Sequence, residues 1–413
     1  MFRSTLFCLI VYFFGQSSAI ADGVKETTRD FVTLKEAVNG RFEIGVGVGF
    51  QAIQDAANQR LILEHFNYVT PENCMKFAAV QPAEGEFNFE KADRFVDFAH
   101  SNGLSVLGHC LVWAKDNRTP EWFCRQGDQQ VEPEVLMERM KTHIKTVVDR
   151  YKGRIQSWDV VNEAIGERSD EYLRDSGWAK LLGEDFIVEA FRYTHELDPD
   201  AVLIYNDYNL HDQWRRERVE RLIGTLQREK APINAIGIQG HYNLDQVPYE
   251  GIEELLKMLR ELNVKIAISE LDIDVIPRGV WWANGGADRE ELSKYNPYPD
   301  VCPPELLKRQ AEQYAKLFDL FQQYEDVILR ISFWNVHDGQ SWLNYFPWKR
   351  VNYPTLFARD RSPKPAYHAV VESLLKNSPR SKSGSASGYM SFGDLALQSS
   401  TRATKTLNDS FKP

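Results

Sequence analysis

Short apolar runs rich in β-branched residues alternate along this chain with longer segments that have a helical period. Because the short runs are almost continuously apolar, they predict strands that are buried on both faces, as in a parallel sheet. We expect strands at residues 42–48, 65–70, 105–112, 156–161, 202–206, 235–239, 265–269 and 329–334. Apolar stripes at helical spacing predict helices near residues 89–101, 134–151, 183–197, 215–229, 250–262, 305–324 and 366–376.

This alternation predicts a single α/β domain, a (β/α)8 TIM barrel in which helices follow the strands. A doubly wound open sheet is the structural alternative, but no G-x-G-x-x-G motif follows the first strand to supply a dinucleotide site. In TIM barrels the active site lies at the C-terminal ends of the strands. The pattern therefore predicts functional residues directly after the strands.

Polar residues do cluster at the ends of seven of the eight predicted strands. These ends read TPENCMK (70–76), GHCLVW (108–113), WDVVNEA (158–164), NDYN (206–209), QGHY (239–242), SELD (269–272) and WNVHD (334–338). Loops are polar in any protein, so one such end could arise by chance. Seven in register would converge on one face of the barrel, which a solvated surface does not explain.

Two of these polar residues are glutamates on strands from opposite sides of the barrel. Glu163 ends strand four and Glu270 ends strand seven, so their carboxyl groups should face each other across the mouth. Glycoside hydrolysis needs such a pair, because one protonated carboxyl group donates to the leaving oxygen while one carboxylate attacks or activates water. An isolated glutamate at a strand end is usually an exposed charge, but this paired arrangement predicts a glycosidase.

Together with the motifs around them, these residues resemble glycoside hydrolase family 10, whose members are mostly endo-β-1,4-xylanases. The resemblance covers residues 42–367 and rests on TPEN-x-MK (70–76), GH-x-LVW (108–113), WDVVNEA (158–164), QGH (239–241), SELD (269–272) and KPAY (364–367). It implies an enzyme that hydrolyses internal β-1,4-xylosidic bonds of xylan by a retaining double displacement. No metal or other cofactor is expected.

The resemblance also implies roles for individual residues. Glu270 would be the nucleophile and Glu163 the acid/base, with carboxyl groups about 5–5.5 Å apart, as in retaining glycosidases. His241 would hydrogen-bond the nucleophile, and Asp272 would support His241 or its loop. The residues expected to bind substrate are Glu72, Asn73, Lys76, His109, Trp113, Asn162, Gln239, His241, Trp334 and Trp342.

Some positions depart from the usual pattern of that family without affecting the two glutamates. The departures are Phe77, Cys110, Ala114 and Asn335. They leave contacts around the −1 sugar and on the aglycone side open. The loop at 277–304 is long and carries four aromatic residues. It could extend the aglycone side of the cleft or pack against the barrel, and both interpretations stay open.

The two ends of the 413-residue chain differ in amino-acid composition from the part between them. Residues 1–21 combine Arg3, an apolar stretch at 6–14 and an Ala-Ile-Ala site, which predicts a secretory signal peptide cut after Ala21. The mature protein would then be secreted or periplasmic. From Ser378 onward, a polar low-complexity stretch predicts a flexible tail. The predicted domains are therefore 1–21, the catalytic barrel at 22–377, and the tail at 378–413.

Composition narrows the range of partners. The formal net charge of −10 argues against a nucleic-acid partner, which usually leaves a basic footprint. After the signal segment, no stretch approaches the ~18 consecutive apolar residues of a membrane span. We therefore expect a monomer without a membrane anchor that binds xylan or xylo-oligosaccharides.

Sequence cannot choose among the disulfide connectivities open to Cys74, Cys110, Cys124 and Cys302.

Three rival functions have to be weighed against a xylanase. A relative that prefers glucose-based chains, such as a cellobiosidase or mixed-linkage glucanase, would differ in the room for a hydroxymethyl arm near Trp334, Trp342 and Lys76. A metal-dependent barrel hydrolase would use strand-end histidines, but residues 42–50 offer no H-x-H motif. A non-catalytic sugar-binding barrel predicts the loss of a catalytic carboxylate, whereas both glutamates are present.

Overall fold

The computed structural model describes residues 31–277 and 295–376. The expected signal peptide and tail, together with Trp281 and Trp282 of the long loop, lie outside the described residues, so statements about them stay predictions. Within the described ranges, none of the helices combines the length and the apolar character that crossing a membrane requires.

Eight parallel strands close into a barrel, which confirms the predicted fold. The strands are β1 (Glu43–Val48), β2 (Tyr68–Pro71), β3 (Ser105–Trp113), β4 (Ser157–Asn162), β5 (Val202–Asp207), β6 (Ala235–Ile238), β7 (Lys265–Asp274) and β8 (Ile328–Trp334). Each strand pairs with the next along the chain, and β8 pairs with β1 to complete the ring. A short strand at His241–Asn243 pairs with the upper end of β7, and an antiparallel hairpin joins Arg125–Gln126 to Gln129–Gln130.

A helix follows each barrel strand. These helices are α1 (Ala56–His65), α2 (Glu90–Ser101), α3 (Pro133–Tyr151), α4 (Asp185–Leu197), α5 (Gln213–Arg228), α6 (Tyr249–Glu261), α7 (Pro304–Phe321) and α8 (Pro365–Lys376). Shorter helical turns lie at Leu34–Val38, Ala52–Gln54, Phe77–Val80, Asp116–Arg118, Glu121–Cys124, Gly177–Leu182, Gln322–Tyr324, Asp338–Gln340 and Trp342–Asn344.

Helix α1 was not among the predicted helices. Asp55 caps it, because its side chain accepts hydrogen bonds from the backbone N–H groups of Ala57 and Asn58. Two of its buried residues, Asn58 and His65, are polar, so the apolar stripe that reveals the other helices is interrupted here. The strand predicted at 65–70 accordingly starts three residues later, since His65 ends the helix.

Strand β7 extends five residues beyond its predicted end at residue 269. Its upper part is stabilised by the short strand that follows β6, with Asp272 opposite His241. Side chains two residues apart in a strand point to the same face. Glu270 and Asp272 therefore project together from a rigid strand toward His241, and not from a loop.

Candidate active site

Asn206, at the upper end of β5, connects the two glutamates. Its backbone carbonyl accepts a hydrogen bond from the N–H of Glu163 at 2.9 Å, and its side-chain nitrogen donates to Oε1 of Glu270 at 2.9 Å. Ser269 donates to the Asn206 amide oxygen at 2.6 Å and so fixes the orientation of the amide. Both glutamates are nearly buried, with 7% exposure for Glu163 and 6% for Glu270. One residue thus brings together the ends of β4 and β7.

The room for Asn206 comes from a glycine on the neighbouring strand. A Cβ atom built at Gly237 of β6 would lie 2.3 Å from the amide oxygen of Asn206. That separation is far below van der Waals contact, so any side chain at Gly237 would displace the amide. Gly237 is therefore part of the scaffold that positions Glu270.

Glu270 has surroundings that favour its ionised form. Burial alone would raise its pKa, but a hydrogen bond from Nε2 of His241 at 3.1 Å and the charge of that imidazole outweigh burial. His109 and the Asn206 amide act in the same direction. The pKa of Glu270 consequently lies below its ordinary value, and the carboxylate is available as a nucleophile.

His241 lies between two carboxylates. Its Nε2 faces Glu270, and its Nδ1 lies 3.1 Å from Oδ1 of Asp272. Burial works against the charged imidazole, but Asp272 and Glu270 together raise the pKa of His241 to about 9. The ring is therefore an imidazolium at neutral pH. Trp342 donates from its indole nitrogen to Oδ2 of Asp272 at 2.7 Å, which orients Asp272.

Glu163 is held differently, in the segment that follows β4. Its backbone is left-handed, with φ of +57°, a conformation that is uncommon for a residue other than glycine. The hydroxyl of Tyr205 accepts from the N–H groups of Ala164 and Ile165 at 3.0 and 2.9 Å, which stabilises this turn. Gln239 donates to Oε1 of Glu163 at 3.1 Å. The other carboxyl oxygen lies 3.6 Å from the guanidinium group of Arg174.

Aromatic rings form a wall beside Glu270. The ring of Trp334 is 5% exposed and makes edge contacts with His109 at 5.8 Å and with His241 at 6.4 Å between centroids. The ring of Trp342 lies 4.8 Å from that of His241. His109 itself is anchored by Asp159, whose Oδ2 lies 2.8 Å from Nδ1 of the imidazole. Flat apolar faces next to fixed polar groups suit the C–H surfaces of a sugar ring.

A second polar group lies at the ends of β2 and β3. Lys76 donates to the amide oxygen of Asn73 at 3.0 Å, and its ammonium group lies 4.9 Å from the ring centre of Trp113. Burial lowers the pKa of Lys76 and raises that of Glu72. The side-chain amide of Asn162 lies 2.9 Å from the Asn206 nitrogen and 3.2 Å from the indole nitrogen of Trp113. The predicted substrate-binding residues thus line one continuous site with the glutamates.

Comparisons with known proteins agree with this geometry. The model of glycosyl hydrolase family 10 matches residues 33–373. This chain belongs to glycosyl hydrolase family 10. The family resemblance inferred from the strand-end motifs is therefore confirmed.

Family 10 relatives cover most of the chain. One named Endo-1,4-beta-xylanase, from Geobacillus stearothermophilus, is 39% identical over 343 residues, covering 82% of this chain and 98% of the relative. One named Thermostable celloxylanase, from Thermoclostridium stercorarium, is 36% identical over 361 residues, covering 84% of this chain and 88% of the relative. The solved Thermobacillus composti GH10 xylanase superimposes with a TM-score of 0.71 at 38% identity, covering 83% of this chain and 100% of that structure.

Asn335, one of the departures from the usual family 10 pattern, has a defined position in this site. Its amide nitrogen donates to Oε2 of Glu72 at 3.0 Å, and its amide oxygen accepts from the backbone N–H of Trp342 at 2.8 Å. Asn335 therefore links the polar group of β2 to the tryptophan that follows β8. The remaining departures contribute apolar surface, since Phe77, Cys110 and Ala114 are all buried.

Sequence reasoning misses four residues of this site: Asn206, Asp159, Arg174 and Asn335. Asn206 and Asp159 stand in strand-end motifs, so position could have identified them. Arg174 lies eleven residues beyond Glu163 in a charged loop and carries no such signal.

The cysteines Cys74, Cys110, Cys124 and Cys302 are all unpaired in the structure. Across residues 31–277 and 295–376, no group of three or more potential ligands could hold a metal ion.

Proposed function

We propose that this family 10 protein is an endo-β-1,4-xylanase that cleaves internal β-1,4-xylosidic bonds of xylan with retention of configuration. The observation that carries the proposal is the pair of buried carboxyl groups joined through Asn206. The charged imidazole of His241 hydrogen-bonds Glu270, whereas the neutral amide of Gln239 hydrogen-bonds Glu163. Retaining glycosidases require one carboxylate that stays ionised and one carboxyl group that exchanges a proton. The unequal surroundings of the two glutamates meet that requirement.

Each step of the proposed reaction uses one of these groups. The Glu270 carboxylate attacks the anomeric carbon while Glu163 donates its proton to the glycosidic oxygen, so the C–O bond breaks and the aglycone sugar departs. The sugar stays bound to Glu270 as an ester. Glu163 then takes a proton from water, the water oxygen attacks the anomeric carbon, and Glu270 leaves as a carboxylate. Two inversions return the β configuration.

The names of the relatives support xylan as the substrate. The Geobacillus stearothermophilus relative is named an endo-1,4-beta-xylanase, and the superimposed Thermobacillus composti structure is named a xylanase. In this chain, the hydroxyl groups of the sugars on the glycone side would form hydrogen bonds with Glu72, Asn73 and Lys76. Trp334 and Trp342 would cover the apolar face of the sugar that is cleaved.

Proton NMR of the first product tests the reaction. The purified protein should release β-configured xylo-oligosaccharides from unbranched xylan, and the α form should appear only later by mutarotation. Early release of mixed oligosaccharides would mark endo action, whereas release of a single small product would mark exo action. An α product formed first would contradict the retaining mechanism.

A β-1,4-glucan-active enzyme is the second candidate function. The observation that favours it is the name of the Thermoclostridium stercorarium relative, a celloxylanase. A glucose ring carries a hydroxymethyl arm that xylose lacks, so steric room beside Trp334 and Trp342 would decide between the two chains. Turnover of xylotetraose and cellotetraose at equal concentration separates the candidates. Equal rates would contradict the assignment as a xylanase.

We also propose that the protein is exported and acts as a monomer. Residues 1–21 carry the features of a signal peptide, and the cut is expected after Ala21. Amino-terminal sequencing of protein recovered outside the cytoplasm should begin at Asp22. Size-exclusion chromatography with light scattering should report a single chain. A mass twice that of one chain would contradict the proposed monomer.

A further inference from the structure

A cluster of three side chains adjoins the acid/base glutamate, with a buried arginine at its centre and a glutamate that is 53% exposed at its outer edge. We call it the Arg174 cluster and define it as Arg174, Glu167 and Tyr208. Arg174 donates from Nη1 to Glu167 at 2.5 Å and from Nη2 to the hydroxyl of Tyr208 at 2.9 Å. Tyr208 in turn donates to Oε1 of Glu167 at 2.6 Å. The three groups therefore form a closed ring of charge-assisted hydrogen bonds.

Arg174 also contacts Glu163 at two points. Its Nε donates to the backbone carbonyl of Glu163 at 2.8 Å, and its Nη2 lies 3.6 Å from the Glu163 carboxyl group. The Arg174 side chain is only 6% exposed, so water screens this contact weakly. A lone buried cation at this distance would stabilise the ionised form of Glu163. Such stabilisation works against a group that has to donate a proton in the first step.

Glu167 supplies the balancing charge. Burial alone would raise its pKa, but the hydrogen bond from Tyr208 and the charge of Arg174 outweigh burial and lower the pKa. Glu167 is therefore an anion at neutral pH. Its side chain is 53% exposed, but its carboxylate lies 2.5 Å from Nη1 of Arg174 and offsets part of the guanidinium charge that faces Glu163. The guanidinium group can then hold the left-handed turn at Glu163 without removing its proton.

We propose that Arg174 is a positioning residue for the acid/base and that Glu167 tunes its charge so that Glu163 keeps a transferable proton. This inference rests on the proposed function, because it concerns the proton-transfer step of that reaction. Tyr208 orients Glu167 and closes the cluster. The cluster therefore acts through Glu163 and need not touch the reacting atoms.

Other charged or titratable groups also face Glu163. Asp207 is paired with Arg215 at 2.7 Å, so this second pair is also balanced. Lys115 approaches Glu167 from the loop after β3. Besides Arg174 from its own loop, the groups that act on Glu163 electrostatically are Asp207 and Tyr208 from the end of β5 and Cys110 from β3. Around them lie Glu167 from the same loop, Arg215 from α5, Lys115 from the loop after β3, and Glu270 from β7.

The test is the pH dependence of kcat/KM on xylotetraose for two variants that change the charge of the pair in opposite directions. In Glu167→Gln the Arg174 cation is left uncompensated, so the alkaline limb should move down by about one pH unit. In Arg174→Met the cation is gone and Glu167 remains, so the alkaline limb should move up. Arg174→Lys keeps the charge and should restore the limb toward that of the wild type, with a lower kcat because the forked contacts are lost.

Two controls separate tuning from a general loss of structure. Asp170→Asn removes an acid of the same loop that is exposed and pairs with Arg168 at 2.5 Å, and it should leave the profile unchanged. A dinitrophenyl β-xylobioside needs no proton on its leaving group, so Glu167→Gln should cleave it at alkaline pH with little loss relative to the wild type.

The possible outcomes distinguish this inference from the proposed function. Opposite shifts in Glu167→Gln and Arg174→Met support the assignment. Equal rate losses without a shift, or shifts in the same direction, overturn it and show that the cluster is structural. If the wild type cleaves xylotetraose normally and both variants keep its profile, the inference fails while the xylanase assignment stands. If the folded wild type cleaves no xylo-oligosaccharide, the proposed function itself fails.

Discussion

Glu270 and Glu163 carry the same functional group in different surroundings. Glu270 projects from the rigid strand β7 and accepts hydrogen bonds from the Asn206 amide and the charged His241. Glu163 follows the end of β4 in a left-handed turn, where its carboxyl group receives a neutral amide at 3.1 Å and a cation only at 3.6 Å. Glu270 therefore has a cation in direct hydrogen-bond contact, whereas the cation beside Glu163 is farther away and partly offset by Glu167.

This difference is what the proposed division of roles between the two glutamates requires. Environments that push the proton affinities of two carboxyl groups apart are what assign an acid and a base in such sites. The His241 imidazolium hydrogen-bonds Glu270 directly at 3.1 Å, with its counter-ion Asp272 on the other ring nitrogen. The Arg174 guanidinium lies 3.6 Å from the Glu163 carboxyl group and is partly offset by Glu167. Substitutions beside each glutamate test whether these different surroundings control the reaction.

The largest effect should come from removing the proposed nucleophile. Glu270→Ala should lower kcat on xylan by roughly 10⁵-fold or more, as removal of a nucleophile does in other hydrolases. Added azide should partly restore cleavage of an activated xyloside and give the α-xylosyl azide, because it enters from the face that Glu270 leaves open. Glu250→Ala, which removes an exposed glutamate on α6, is the matched control and should retain full activity. Wild-type rates in Glu270→Ala would refute the assignment of the nucleophile.

The next effect concerns the opposite side. Glu163→Ala should lower kcat on xylan by roughly 10²- to 10⁴-fold, the usual contribution of general acid–base catalysis. The xylosyl-enzyme should still form from a dinitrophenyl β-xylobioside and accumulate, and azide should convert it to the β-xylosyl azide. The opposite azide anomers from the two variants distinguish the two sides directly. A β-azide from both variants would contradict the division of roles.

Most of the barrel could be predicted from sequence because its strands are buried on both faces and read as apolar runs. Prediction failed where polar residues are buried, as at Asn58 and His65 of α1, since a hydrophobic period cannot reveal a buried face that is partly polar. It also ended β7 too early at residue 269. The alternating polar residues Glu270 and Asp272 resemble a loop until the short strand opposite them is known.

The predicted site residues were identifiable because they follow strands directly, where chain position determines spatial position. The missed residue Arg174 shows the limit of that reasoning. Its loop contains several charged residues, and nothing in the local pattern distinguishes an arginine that folds back onto Glu163 from one in solvent. Only its 6% exposure and its contact with the Glu163 carbonyl do so.

A smaller loss should follow from disturbing the link between the two sides. Gly237→Ala places a Cβ atom 2.3 Å from the Asn206 amide oxygen, so the amide that donates to Glu270 has to move. We expect kcat to fall by about 10- to 100-fold, the cost of a misplacement of roughly 1 Å at a reacting group. Gly224→Ala on α5 is the control, because no atom lies within 4 Å of its added Cβ. Unchanged kcat in Gly237→Ala would mean that Asn206 does not position the nucleophile.

The smallest effect should be a shift in pH dependence when the cation on the nucleophile side is removed. His241→Asn keeps a polar side chain but loses the charge that favours ionised Glu270. The acid limb of kcat/KM should therefore move up by about one pH unit. An unmoved acid limb would show that Asn206 and His109 keep Glu270 ionised without His241 and that the charge contrast between the two sides does not matter for the reaction.

The same residue makes a prediction for stability, with the opposite dependence on pH. The pKa of His241 is raised from its ordinary 6.5 to about 9 in the folded protein. Its contribution to the free energy of unfolding is therefore complete below pH 6.5 and is lost as the pH rises through about 9. Thermal unfolding from pH 6 to pH 10 should show a steeper decline of Tm in the wild type than in His241→Asn. Parallel curves would mean that His241 is uncharged at neutral pH and that its charge does not favour the ionised form of Glu270.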